Sequence, residues 1–292
     1  MIITRNASAY RSLQANLSKN STTLNQLYIK TSTGLEVAKA SDAPAAVAAI
    51  INGRSDMVKG QRYVTNCQHV QDSLANAEIA IDAVEALMTK AKEIAVTGAN
   101  DSLSTSDRAT LANEVNQLQE SLLDLANTEV NGKYLFAGYN DQTLPFSGSP
   151  VGYNGTDDHQ LIEISPGTTA AKNITGEELF LSPINLFTTL EELATALNSA
   201  DTAACSNQLT GLEQAADQVR GQQSLLGNTS ARMDDMISLH QNTLLLVEAT
   251  LADNQDADLA AVLSEIAKME LSLEATMQVT ARVSSLNLMD YL

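Results

Sequence analysis

Apolar residues recur along this chain in alternating steps of three and four. Tyr10, Leu13, Leu17, Leu24 and Leu27 form a first seam, with Asn20 at the one missing position. A second runs through Cys67, Val70, Leu74, Ala77, Ile81, Val84, Met88, Ala91 and Ala95, and resumes after Gly98 at Leu111, Val115, Leu118, Leu122 and Leu125. A third passes from Leu209 through Leu212, Ala216, Val219, Leu226, Met233, Ile237, His240, Leu244 and Val247 to Leu251, with Gln223 and Ser230 in register. The last comprises Leu259, Val262, Ile266, Met269, Leu273, Thr276, Thr280 and Val283. A 3.5-residue period held over several heptads specifies helices packed side by side. A helix of ~40 residues is about 60 Å long, so the pattern predicts a mainly α protein, an elongated helical bundle or coiled-coil rod.

Local signals place the helix ends. Ser41-Asp42-Ala43-Pro44 supplies a side-chain oxygen and then a proline, whose missing N–H costs nothing in a first turn. Thr105-Ser106-Asp107 marks a second start, and Asp253, Asp256 and Asp258 a third. Those aspartates lack the loop glycine and ligand spacing of an EF-hand. Between the helical halves the pattern changes. Four of the five prolines fall between 145 and 183, and seven of the eleven aromatics between 134 and 187. Proline breaks helices and aromatics favour half-buried pleated surfaces. Residues 133–137 and 160–164 therefore read as strands, the latter ending in the turn Ser165-Pro166-Gly167. The expected division is 1–43 with 253–292 as paired terminal assembly helices, 44–140 with 185–252 as a helical rod, and 141–184 as a small β-rich, surface-exposed insertion domain.

Composition narrows the function. The 292 residues are 44% hydrophobic but only 4% aromatic, which suits a core of aliphatic side chains between helices. With 35 acidic against 17 basic residues the chain carries −18, which disfavours nucleic acid, since phosphate affinity comes from Lys and Arg. Cys67 and Cys205 are isolated and suggest neither a disulfide framework nor a zinc site. No apolar run has the ~18 residues of a membrane span, and Met1-Ile2-Ile3-Thr4-Arg5 does not open like a cleavable secretory signal. The charge is uneven: residues 1–62 carry eight Lys/Arg against three acids, and residues 251–292 two against seven. Ends of opposite sign, +5 and −5, are expected to lie against each other.

Candidate chemistry is thin. His240 occupies a seam position and reads as a structural histidine. Cys67 and His69, two apart on a helix, point to different faces and cannot share a metal. His159 begins no HExxH motif, and no phosphate-binding glycine loop or GxSxG nucleophile motif occurs. Asn-x-Ser/Thr sequences at Asn6, Asn16, Asn20, Asn173 and Asn228 are expected by composition alone. No catalytic residues, metal ligands or cofactor are assigned, and the chain is not expected to be an enzyme.

The stretches Ala15-Asn16-Leu17, Leu24-Asn25-Gln26-Leu27, Thr31-Ser32-Thr33-Gly34-Leu35-Glu36-Val37 and Ser41-Asp42-Ala43-Pro44 resemble the start of the bacterial flagellin superfamily. That family usually has a second aspartate where this chain has Ala43. Lys92-Glu93-Ile94-Ala95-Val96-Thr97-Gly98-Ala99-Asn100 is similar to its helix end and turn. Leu125-Ala126-Asn127-Thr128, Gly132-Lys133-Tyr134-Leu135-Phe136-Ala137-Gly138-Tyr139, Pro145-Phe146, the insertion from Tyr153 to Phe180 and the tail from Leu273 to Leu292 resemble one branch of it, the hook-associated protein 3 (hook–filament junction) branch.

The resemblance implies paired terminal helices, a helical middle and an exposed variable domain. It also implies an extracellular place in the flagellum, reached through the type III export apparatus with an export chaperone. The implied partners are other copies in a ring, the first hook-associated protein, and flagellin or the filament cap, with neither nucleic acid nor membrane insertion. Alternatives are a flagellin that forms the filament itself and, from another class, a coiled-coil binding or adhesin module. The assembly interface expected on the terminal helices comprises Leu13, Leu17, Leu24, Leu27, Leu259, Ile266, Met269, Leu273, Val283, Leu288 and Leu292. Because amphipathic helices gain most stability from packing, these ends are expected to be mobile in the monomer and to order on assembly.

Overall fold

The computed structural model describes the backbone of residues 2–199 and 201–289, and the side chains from Ser8 to Arg282 except those of Ala9 and Ala200. The chain divides into two compact units, Met1–Lys59 with Thr243–Leu292, and Gly60–Asn242. This differs from the three-part division expected from sequence. The division falls within the chain segments of α2 (Pro44–Gly98) and α5 (Thr202–Gln255) rather than at helix ends, and residues 141–184 share a unit with helices.

The first unit is built on α1 (Ile2–Thr33) and α6 (Leu259–Met289). Gly34 ends α1 in the left-handed region at φ +72°, its N–H donating to the Lys30 carbonyl at 2.8 Å. The two connecting segments then bind each other. Glu36 and Val37 N–H groups donate to Gln255 O at 2.8 and 3.2 Å, and Ala257 N–H donates to Gly34 O at 2.9 Å. Pro44 opens α2 as the Ser-Asp-Ala-Pro signal predicts. Of the three aspartates before α6, only Asp258 acts as the cap, accepting from the Ala260 and Ala261 N–H groups at 3.0 and 3.1 Å. Asp253 lies within α5.

The second unit holds most of the core. Every seam residue from Cys67 to Ala95 is buried, in one core with α3 (Thr105–Ala126), α4 (Leu186–Asn198) and α5 as far as Met233. Ser104 caps α3 one residue before the expected start, in a capping box with Asp107. Both cysteines are buried and free.

Between α3 and α4 lie three two-stranded antiparallel pairs: β1 (Glu129–Val130) with β2 (Lys133–Tyr134), β3 (Phe146–Ser147) with β4 (Gly152–Tyr153), and β5 (Leu161–Ser165) with β6 (Thr168–Ala171). The expected strand over 133–137 stops at Tyr134. Phe136 and Ala137 are buried in succession, which breaks the in–out alternation a half-buried strand needs. Asn131 and Gly132, at φ 53° and 78°, turn β1 into β2. The insertion is no separate domain because its aromatics continue the helical core. Phe146 sits 5.2 Å from Phe180 and 5.5 Å from Phe187 of α4 between ring centroids, and Phe136 packs edge-on against Phe180 at 5.2 Å.

Candidate assembly interface

Helices α1 and α6 run antiparallel from the paired connecting segments. Where they leave those segments, Leu27, Val262 and Ile266 close a small core at 4, 5 and 7% exposure, flanked by half-buried Leu24, Ala257 and Met269. Farther out the seam stays open: Leu13, Leu17 and Leu273 are only half-buried. Two helices cover one stripe of each other and no more, so the outer turns keep part of that stripe in solvent. The polar seam positions are satisfied locally. Thr276 and Thr280 hydroxyls donate to the Ser272 and Thr276 carbonyls, both at 2.7 Å, and Asn20 Nδ2 donates to Ser272 Oγ at 3.2 Å.

The sequence-predicted interface thus falls into three groups. Leu24, Leu27, Ile266 and Met269 are brought together, and Leu13, Leu17 and Leu273 lie half-buried beyond them. Leu259 opens α6 and is 46% exposed, because Val262 takes the first inward position. The side chains of Val283 and Leu288, and Leu292 altogether, lie outside the described residues. Cross-helix polar contacts among the described residues include the Asn20–Ser272 bond and the Tyr28 hydroxyl donating to Glu270 Oε1 at 2.7 Å, neither an ion pair. Glu270 holds the Tyr28 hydroxyl above the ordinary tyrosine range by that bond.

A second apolar set lies outside the seam. Ile29, Leu263, Leu271, Met277 and Val279 are all about half exposed or more, Leu271 reaching 69%. Within the same unit, Ala49, Gly53, Leu246 and Leu251 line an open apolar groove of about 310 Å³. Solvated apolar side chains on a short helical pair are the composition of a contact surface. Their sequence signal was available: large aliphatic residues at positions that a two-helix seam does not use.

The model for the N-terminal helical region of bacterial flagellin matches residues 3–141. Flagellar hook-associated protein 3 of Escherichia coli K12 is 26% identical over 282 residues, covering 88% of this chain and 89% of that one. The chain is thus similar to bacterial flagellins over residues 3–141 and to a hook-associated protein along most of its length. The flagellin of Bacillus subtilis 168 is also 26% identical, over 97% of this chain and 96% of its own. Among solved structures, the flagellar junction protein FlgL of Legionella pneumophila superposes with a TM-score of 0.61 at 19% identity, over 71% of this chain and all of that one. That likeness places the fold.

The motif Gly132–Tyr139 is structural. Its Phe136 is fully buried, and the Phe136 carbonyl accepts from the Tyr153 hydroxyl at 2.9 Å and from Gly176 N–H at 2.9 Å. The histidines are structural or surface groups. His240 is buried, stacks on Tyr63 at 5.3 Å, and its Nε2 lies 2.7 Å from the Ile164 carbonyl, tying β5 to α5. His159 bridges the Asn173 carbonyl and Glu178, and His69 is exposed. Among the described residues no cluster of His, Cys, Asp and Glu is arranged to hold a metal.

Proposed function

We propose that this chain is a structural subunit of the bacterial flagellum that joins the hook to the filament. Copies form a ring whose lower contacts are with the first hook-associated protein and whose upper contacts are with flagellin or the filament cap. The observation that carries this reading is the similarity to hook-associated protein 3 along almost the whole of both chains. The geometry supports it: among the described residues, α1 and α6 pair around a core of three closely buried apolar residues and keep further aliphatic side chains in solvent. Such a pair gains stability when neighbouring copies cover it. In this reading the terminal segments 1–43 and 253–292 are the assembly element and the chain has no catalytic role. It reaches the cell exterior through the type III export apparatus, accompanied by a chaperone. Deleting the gene tests the proposal. Hooks without filaments, with flagellin released into the medium, are the expected result.

The similarity to Bacillus subtilis flagellin over 97% of this chain supports a second reading, a subunit of the filament itself. It predicts shortened or absent filaments without flagellin release, and purified subunits that elongate unaided into long filaments.

A further inference from the structure

Within the first unit, a pocket of about 140 Å³ lies between the connecting segment after α1 and the first turns of α2. Half-buried Val37 and Val47 and buried Ile50 give it an aliphatic floor, and Ile51, 61% exposed, stands at its rim. Lys39 and Arg54 also line it, and its described lining holds no carboxylate. Both cations are exposed, and among the described residues neither closes an ion pair. Asp42, three residues after Lys39, accepts from the Lys39 N–H at 2.7 Å and lines a separate pocket with Lys30 and Glu36. An aliphatic cavity of about 150 Å³ holds a benzene ring, so this one has the size of a single aromatic side chain. Two cations beside an apolar floor select a carboxylate that adjoins a large apolar group.

The chain carries such a pairing in Leu288-Met289-Asp290-Tyr291-Leu292, where an acid adjoins an aromatic ring among aliphatic residues. We propose that the pocket receives this segment from a second copy, the Tyr291 ring on the aliphatic floor and the Asp290 carboxylate accepting from the Arg54 guanidinium and the Lys39 ammonium. Arg offers a carboxylate a planar fork of donors, and a tyrosine can bury its ring while its hydroxyl stays at the wet rim. The donor is another copy for a reason of length. Helix α6 runs about 45 Å from Leu259 to Met289, away from the paired connecting segments beside which the pocket opens. Residues 290–292 add at most about 11 Å, so a chain's own segment does not reach its own pocket. Charge points the same way. The pocket belongs to residues 1–62, with eight Lys/Arg against three acids, and the segment to residues 251–292, with two against seven. The contact joins different surfaces of two copies, so it adds copy to copy in one direction instead of closing a two-fold dimer. It deepens the assembly reading above and rests on it for the second copy.

The test titrates a fluorescein-labelled peptide of residues 284–292 with the full chain and follows its anisotropy. Because a chain's own segment does not fill the pocket, saturable binding is expected. Tyr291→Ala in the peptide should lower affinity about tenfold. Asp290→Lys in the peptide should lower it about fivefold, as should Arg54→Glu in the chain. Combining these two changes should recover affinity to within about twofold, since the exchanged charges again face each other. Binding that does not saturate overturns the proposal. So does indifference to Tyr291→Ala, or a combined charge exchange whose losses add without recovery. Hydrogen exchange over residues 67–95 checks that Arg54→Glu stays folded, and the peptide variants leave the chain unaltered. The titration does not depend on where the chain sits in the flagellum. A chain that ignores the peptide can still be required for filaments, so this failure and that of the junction reading are distinct.

Discussion

Leu27→Ala separates the stability of the α1–α6 pair from that of the rest of the chain. Leu27 is 4% exposed and closes a core of three residues with Val262 and Ile266. The substitution removes three carbons, worth about 0.8 kcal/mol each when buried, or roughly 2.4 kcal/mol. Cavity costs raise Leu→Ala losses toward about 5 kcal/mol in closed cores. Here Leu24 and Met269 are half-buried, so they can move into the space or let water in, and the loss stays near the low end, about 2 kcal/mol. That corresponds to roughly 30-fold faster amide exchange wherever protection depends on the pair. Hydrogen exchange by mass spectrometry on the monomer at micromolar concentration reads it directly. Peptides of α1 and α6 are expected to speed up by that factor, or to lose protection entirely where it begins below 2 kcal/mol. Peptides from Cys67 to Ala95 should not change. Leu271→Ala, at a residue 69% exposed, is the control and should leave both sets alone. Unaltered exchange in α1 and α6, or equal acceleration over Cys67–Ala95, would refute the view that Leu27 supports a small, separable core.

His240→Ala removes the Nε2 bond to the Ile164 carbonyl and the stack on Tyr63, and the Cys67 thiol, 4.0 Å from that carbonyl, is too distant to replace the bond. A loss of about 2–3 kcal/mol is expected in urea unfolding of the second unit; under ~0.5 would mean that β5 is held by its other contacts. Burial pushes the Tyr153 hydroxyl up to about 12, so the fold holds that proton more tightly than the unfolded chain does. Its contribution is complete below the ordinary tyrosine value of 10.0 and is lost as pH rises through about 12. Ultraviolet titration should therefore show a late-ionising tyrosine that disappears in Tyr153→Phe, with alkaline stability falling from pH 10 upward in the parent.

The legibility of the sequence followed how completely each stripe is covered. From Cys67 to Ala95 the 3.5-residue pattern has no gap, several elements pack on it, and every seam residue is buried. The same pattern in α1 and α6 gave the correct pairing but overestimated its closure, because only one helix covers each. Leu259 shows the limit of periodicity at a helix end: it is in register, yet the first turn projects beyond the partner. Residues 133–137 misled for a different reason. Aromatic content suggested a strand, but Phe136 is needed on the core side of a turn closed by Gly138 at φ +65°. Helix α4 was written in the sequence and passed over, with Asn185 as its cap and Leu186, Leu190, Leu193 and Leu197 on one face.

The distribution of charge gives assembly a direction. The second unit carries eight Lys/Arg against 24 Asp/Glu, a net −16, whereas the first carries nine against 11, a net −2. Copies that approach through the second unit repel each other; copies that approach through the first do not. Within the first unit, α1 holds Arg5, Arg11, Lys19 and Lys30 with no acid, and its described polar contacts with α6 are not ion pairs. Ionic pairing therefore contributes little at those contacts, and the apolar stripe sets their strength. Salt separates the two effects. It screens repulsion between the second units over a Debye length of about 10 Å at 0.1 M, while burial of Leu, Ile and Met is untouched or strengthened. Association of purified chain, followed by light scattering, is therefore expected to speed up as sodium chloride rises from about 0.05 to 0.3 M. A slower association with salt would mean that the cations of α1 find their acidic partners on another copy, and that charge rather than the aliphatic stripe drives the contact.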